Sequence, residues 1–311
     1  MTIAIDTEGY LFMYDENDLK DFKNLLKTKN ESERENWVKK YLKNYAIYQD
    51  KIGNLSVIKN KEKYTPTLNC HLDTVHDEYF LEIDVKKDKN VFFDIDNQIF
   101  WSPQGIGGDD LCGVFLACKI FKGYKGSLQV VFNSLEEYGG VGSSSFEFVF
   151  DPAYIITVDR KGISDIVTDI SGQDLMENTL KNKVLQIAKF HGREKTTGLF
   201  SDCLNFAKKG YGSMNLSCGY YNPHSLEEYI SFRDMGKTES FILDLLKNIP
   251  IQKYSSGKEK IKNRISKYPH LITDSCILCN SENAYYDYYY EACICNKCLQ
   301  FDINYKRGDK K

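Results

Sequence analysis

The stretch TLNCHLDTVHDEY, residues 67–79, decides how this chain is read. With Thr65 and Pro66 in front, it forms a short buried strand that closes on His71, with Asp73 two positions further on. Residues i and i+2 of a strand share a face, so Asp73 can lie beside His71 and orient its ring through a hydrogen bond. The triplet alone fits a polar strand end as well as it fits the start of a metal site, and the rest of the chain has to choose.

Around that strand the elements alternate. Residues 31–45 carry helical spacing, and AIYQDKIGNLSVIKN (46–60) gives two short strands about a Gly-Asn turn. The segment 80–101, with DIDNQ inside it, has the pattern of a polar hairpin. From residue 108, GDDLCGVFLACKIFKGY is a helix with an apolar face. SLQVVFNSLEE and AYIITVD are strands, and GGVGSSSFEF is a turn into another helix. Further helices are expected near 174–189, 201–209 and 234–248, with strands in parts of AKFHGREKTTG and GSMNLSCGYY. Strands alternating with helical patterns imply an α/β fold whose mixed, mainly parallel sheet is covered by helices on both faces.

Composition narrows the class. The 311 residues suffice for one domain of roughly 250 residues with a small appendix. We divide them into a main domain at 1–250, a lysine-rich linker at 251–270 and a cysteine-rich end at 271–311. A formal net charge of -3 gives no global pull towards nucleic acid or anionic membrane. No run approaches 18 apolar residues, and the first 30 residues lack an export-signal pattern. A cytoplasmic setting, with its ten cysteines reduced, is therefore expected.

Four of those cysteines form two CxxC pairs, Cys276/Cys279 and Cys295/Cys298, with 15 residues between them. That spacing fits a zinc ribbon in which four thiolates close a tetrahedron around one structural zinc. The tyrosine run 285–290 beside a basic linker could offer nucleic acid or a protein partner a face, but β propensity alone accounts for it, and we favour that plainer reading.

Five expected strand ends carry acids or histidine: CHLD (70–73), GGDD (107–110), LEEYGG (135–140), ITVD (156–159) and YNPHS (221–225). Parallel strands direct their C-terminal ends to one edge, where open α/β sheets keep their ligands. Converging carboxylates repel unless positive charge sits among them, and a pair of divalent cations supplies it. With histidines in the donor set, zinc is the natural candidate. Taken singly, GGDD is more often a turn or cap and EE a solvated face; their order and spacing distinguish them. His76, His191 and His270 are read as structural histidines.

HLDTV, GIGGDDLCG, LEEYGG, VD and PHS occur in the order found in the co-catalytic di-zinc exopeptidases, and the chain resembles that superfamily from about residue 31 to 248. Peptidase T, leucyl aminopeptidases and tetrahedral aminopeptidases belong to it. The resemblance implies that His71 and Asp159 hold one zinc, Glu137 and His224 the other, and that Asp109 bridges them. It makes Glu136 the general base and Asp73 the partner of His71, and it implies a non-proline cis peptide between Asp109 and Asp110. Only 35 residues separate Asp73 from Asp109, and 64 separate Asp159 from His224, so no inserted lid domain is expected. Leu111 and Cys112 stand where relatives such as peptidase T have Lys and Ala. The function implied is amide hydrolysis, foremost by an aminopeptidase on peptides. A deacylase on the same site and an inactive scaffold whose ribbon recruits a partner are the alternatives. Oligomeric state is not legible.

Overall fold

The computed structural model describes residues 16–77 and 88–257, together with the backbone of four short strands outside them. The strands are β1 (Ala4–Ile5), β2 (Leu11–Phe12), β3 (Ile47–Gln49), β4 (Leu55–Lys59), β5 (Thr65–His71), β6 (Phe92–Asp94), β7 (Ile99–Trp101) and β8 (Leu128–Asn133). There follow β9 (Pro152–Arg160), β10 (Asp165–Ile170), β11 (Gln173–Asp174), β12 (Glu194–Gly198), β13 (Ser213–Ser217), β14 (Tyr220–Tyr221) and β15 (Tyr229–Ser231). The chain divides into two units, Met1–Lys260 and Ile261–Lys311.

In the first unit a nine-stranded sheet runs in the order β11-β10-β13-β9-β5-β8-β4-β3, with β12 also paired to β10. Its centre, β13-β9-β5-β8, is parallel throughout, and the strands outside that centre mostly join it antiparallel. The expected mixed, mainly parallel sheet is therefore present. The central strands read as near-continuous apolar runs because both faces are covered: every residue of β5 and β8 is buried.

On one face Leu68, Val130 and Ile156 pack against the helix Gly108–Gly123. That helix is apolar nearly all round, since the helices Glu16–Leu26 and Phe232–Asn248 enclose its outer side. Phe22 joins them, 4.8 Å from Phe115 and 5.7 Å from Phe232 between ring centroids. On the other face Val131 and Ile155 pack with Phe146 and with Phe206 of the helix Asp202–Lys208. Neighbouring residues such as Val130 and Val131 thus serve opposite layers, as strand alternation requires.

Caps mark helix starts. Asn30 accepts from the Glu33 amide at 2.9 Å to open Glu31–Tyr41, and Ser231 accepts from the Asp234 amide at 3.2 Å to open Phe232–Asn248. The helix Glu16–Leu26 and strands β10 and β11 are elements that pattern reading passes over. Residues 251–257 lie along the first unit: Tyr254 is buried, its amide donates to Ala153 and its carbonyl accepts from Gly212, both at 2.9 Å.

A second sheet, β14-β15-β7-β6, is antiparallel. The hairpin β6–β7 turns through DIDNQ, as its polarity suggested. Asp94 caps that turn by accepting from the amides of Asp96 and Asn97 at 3.0 and 3.1 Å. One face of this sheet, with Phe93, Phe100, Ile230 and Tyr220, packs on the main core. Its connection from β14 to β15 carries His224 to the edge where the parallel strands end. No described helix is long and apolar enough to cross a membrane.

In the second unit β16 (Ala284–Asp287) and β17 (Ala292–Cys295) form an antiparallel pair. Cys276, Cys279 and Cys298 lie outside the described residues, and with them the proposed ribbon site; Cys295 closes β17. His270 and the rest of the linker beyond residue 257 also lie outside.

Candidate metal centre

His71 is the last residue of β5, Asp159 the penultimate residue of β9, and Glu136 and Glu137 follow the end of β8. Because these strands are parallel and adjacent, all four side chains start from one edge of the sheet. Asp109 stands at the start of the helix Gly108–Gly123, where Gly107 is left-handed and Asp109 and Asp110 depart from helical φ/ψ. The peptide between Asp109 and Asp110 is cis, as expected. His224 (φ +60°) and Leu135 (φ +58°), beside the glutamate pair, are left-handed without being glycine. Such backbone is costly and recurs at functional sites.

The sequence-selected residues meet. Nε2 of His71 lies 3.1 Å from Oδ1 of Asp109 and 3.6 Å from Oδ1 of Asp159. Nε2 of His224 lies 3.4 Å from Oδ2 of Asp109 and 3.3 Å from Oε2 of Glu137. One carboxylate, Asp109, thus turns one oxygen towards each histidine, and each histidine has a further acid of its own. Donor atoms of His71, Asp109 and Glu137 fall within 4.8 Å of one another, as do those of His71, Asp110 and Asp159.

The charges of the cluster act on one another. Burial raises Glu136 well above the usual carboxylate range, and the charges of Asp159, Asp202 and Glu137 add to it against the opposing His71. Burial likewise raises Glu137 to about 7, despite the His224 hydrogen bond. It raises Asp159 too, with the Asp109 charge adding. For Asp109 burial acts in the same sense, but hydrogen bonds from His224 and His71 outweigh it and hold this carboxyl below its ordinary value. His224 is raised to about 10 by its hydrogen bonds to Asp109 and Glu137. His71 is raised although burial opposes it, through Asp109, Asp159 and Asp73. Glu137 Oε1 is buried without a hydrogen bond among the described residues. An orphaned buried carboxylate oxygen beside two histidines fits a metal better than a closed polar core.

Asp73 does more than partner His71. The ring Nδ1 is closer to its backbone carbonyl, at 3.0 Å, than to Oδ1, at 3.4 Å. Its two carboxylate oxygens also accept the amides of Glu136 and Glu137, each at 3.0 Å. The carboxylate after the first histidine therefore holds the loop that carries the glutamate pair.

Several site residues escaped the sequence reading. Asp110 accepts the His71 amide at 3.2 Å and the Gly113 amide at 3.0 Å, so its oxygens serve the backbone. Ser201 donates to Oδ2 of Asp159 at 3.0 Å and Tyr220 donates to Oδ1 at 3.3 Å. Asn215 holds the Asp159 main chain on both sides, accepting its amide at 3.0 Å and donating to its carbonyl at 2.6 Å. Beneath the cluster, Thr157 donates to Asn69, Asn69 to Asn133 and Asn133 to Asn54, at 2.9, 2.6 and 3.0 Å. Thr157 and Asn69 stand two residues before Asp159 and His71, so this buried ladder fixes strand register directly under those two side chains. Asp202, 1% exposed, forms no well-aligned hydrogen bond among the described residues. Burial raises it to about 7 against the opposing Ser143 hydroxyl and His71 charge. His76 and His191 face Glu228 and Asp244 at 2.9 and 2.8 Å.

No protein-family model and no curated protein sequence matches the chain. Solved structures do. Aminopeptidase PepT from Bacillus cereus superposes with a TM-score of 0.62 at 15% identity, over 76% of this chain and 99% of that one. A tripeptidase from Staphylococcus aureus gives 0.60 at 15% identity, over 76% and 98%. A TET aminopeptidase from a marine sediment Thaumarchaeota archaeon gives 0.61 at 14%, over 76% and 98%. At such identities the likeness is one of architecture: the chain has the mixed, mainly parallel α/β fold of these aminopeptidases.

Proposed function

We propose that the chain is a metal-dependent amide hydrolase of the co-catalytic zinc exopeptidase type, acting as an aminopeptidase on peptides. The observation that carries this reading is the Asp109 carboxylate, which offers one oxygen to His71 and the other to His224. His71 and Asp159 would hold one cation, His224 and Glu137 a second, and Asp109 would bridge them. Bound there, two divalent cations would polarise the scissile carbonyl and lower the pKa of water.

The remaining work falls to the chain. Glu136, half-buried next to Glu137, takes the proton of the attacking water and returns it to the leaving amine. Asp73 fixes the main chain of Glu136 and Glu137, so that base and ligand keep their relative positions. Asp202 adds a further buried acid whose charge is felt at His71 and Asp159. Such surroundings suit a substrate ammonium group better than a carboxylate, which favours a free N-terminus over an N-acyl amino acid. The aminopeptidase and tripeptidase descriptions of the solved structures above agree with this choice. Cys276, Cys279, Cys295 and Cys298 are proposed to hold a third, structural zinc, and the setting is proposed to be cytoplasmic.

The test is zinc content of the purified full chain, followed by turnover of aminoacyl anilides against N-acyl amino acids before and after metal removal. Two equivalents of zinc beyond any held by the C-terminal cysteines, with metal-dependent anilide hydrolysis, are expected. Hydrolysis indifferent to metal removal, or preference for the N-acyl compounds, would overturn the mechanism or the substrate class respectively.

A further inference from the structure

Glu228 stands four residues beyond His224, and its carboxylate is wholly buried. A buried carboxylate is costly unless hydrogen bonds take up its oxygens. Here they do. Oε1 accepts the Asp109 amide at 3.0 Å, and Oε2 accepts the Gly107 amide at 3.0 Å while facing Nε2 of His76 at 2.9 Å. Because a carboxylate only accepts, Nε2 is the ring nitrogen that carries the hydrogen.

The surroundings are shaped to this contact. Gly107 is left-handed (φ +69°) where the chain turns to present the amides of Gly107 and Asp109 to Glu228. A Cβ on Gly108 would lie 2.6 Å from the Tyr220 Cβ and 3.1 Å from Oε1 of Glu228. One on Gly105 would lie 2.2 Å from Nδ1 of His76, so the ring rests flat on that backbone. His76 is anchored in turn, its amide donating to Thr74 Oγ1 at 3.1 Å. The guanidinium of Arg34 clamps the same loop by donating to the Leu72 carbonyl at 2.8 Å and pairing with Asp77.

We propose that Glu228 and His76 are positioning residues that aim the Asp109 carboxylate, a role that rests on the metal reading above. Glu228 grips the amide of the residue whose side chain faces both histidines. It belongs to the connection that carries His224, and through His76 it reaches the loop that leaves His71. One carboxylate therefore ties together the three segments that supply His71, Asp109 and His224. Asp73 acts the same way on the glutamate loop, so each of the two acid-bearing loops has its amides held by a buried acid from elsewhere in the chain.

Glu228→Gln is isosteric, but whichever way the amide turns, its NH2 faces an N–H donor. In the metal-stripped full chain, zinc affinity by competition with a chromophoric chelator should fall about 10–100-fold. The visible spectrum of the cobalt-loaded variant should change, and at saturating zinc kcat should drop with KM near native. His76→Gln, which can place an N–H near the Nε2 position, should stay within about threefold of native affinity, whereas His76→Leu should weaken binding as Glu228→Gln does. Should Glu228→Gln fail to fold, the two His76 variants carry the comparison alone. Native zinc affinity and cobalt spectrum in Glu228→Gln and His76→Leu, with only a lower melting temperature, would reduce the pair to packing and refute the proposal. A native chain that takes up no zinc would instead remove the metal reading itself.

Discussion

Replacing Asp73 with Asn tests whether a buried acid holds the glutamate loop. In the native chain its oxygens accept the amides of Glu136 and Glu137 at 3.0 Å each, and its pKa is lowered even though burial pushes the other way. The hydrogen bond and charge of His71 and the two amides thus outweigh the cost of burying the charge. Asparagine keeps the shape and one acceptor. The other amide then meets an NH2 group, which forfeits a charge-assisted hydrogen bond of about 1.5–3 kcal/mol. The surviving bond becomes neutral, a further loss of about 1 kcal/mol. His71 retains the backbone carbonyl of residue 73 at 3.0 Å, so its orientation is largely preserved. Easier burial of a neutral side chain offsets part of this, which leaves a net destabilisation of about 2–3 kcal/mol. Urea unfolding of the metal-stripped protein at neutral pH measures it, and chelator competition should show zinc affinity reduced about 10–100-fold. A variant within about 0.5 kcal/mol of native, with native zinc affinity, would mean that this carboxylate does not organise the loop.

Three other perturbations probe the same centre. Glu136→Gln should abolish turnover while zinc content stays native, by metal analysis and anilide assay on one sample; substantial activity would remove Glu136 as the base. The metal-stripped chain should be more stable at pH 5 than at pH 8. Burial raises Glu137 and Asp202 to about 7 from 4.5 and 3.8, so their contribution is present below the unfolded values and lost as pH rises through 7. His224, raised to about 10, extends the decline, and zinc should flatten it; denaturant midpoints that rise from pH 5 to 8 without metal would contradict the assignment. Gly113→Ala would bring a Cβ within 2.2 Å of the Val158 carbonyl oxygen and 2.4 Å of Oδ1 of Asp110. It should cost about 1–3 kcal/mol or more, whereas Gly123→Ala, with open space around it, should be neutral or slightly stabilising; equal effects in urea melts would refute the close approach.

The parallel core and the convergence of His71, Asp109, Glu137, Asp159 and His224 were legible because each leaves a local mark. Buried strands such as LQVVFN are short apolar runs, and a ligand at a strand end is a polar residue immediately after one. The helix Glu16–Leu26 was passed over although Leu19, Phe22, Leu25 and Leu26 recur at helical spacing on the face it packs against the core, so its mark was in the sequence. Strand β10, IVTDI after Asp165, is rich in β-branched residues but short, and pattern reading passed over it. Its place in the sheet is set by its neighbours β12 and β13, which its own residues do not name.

Glu228 shows where such reading stops. Its partners Gly107 and Asp109 lie 121 and 119 residues away in sequence, and nothing local separates it from Glu227, which is exposed beside it. A ligand is recognisable because metal chemistry restricts the residue type at a strand end, whereas the acid that holds a ligand's backbone can come from any segment the fold brings near. Asp73 was noticed because it follows His71, and even there the expected contact with the ring proved longer than those with two amides 63 and 64 residues away. The second layer of such a site is written in the topology. The parallel strands bring Asp73 under the glutamate loop, and the small antiparallel sheet brings Glu228 under the turn of Asp109. Without that sheet, His224 and the acid that aims Asp109 would be lost together, which is why a compact fold with no inserted domain can still hold all five ligand-type side chains in place.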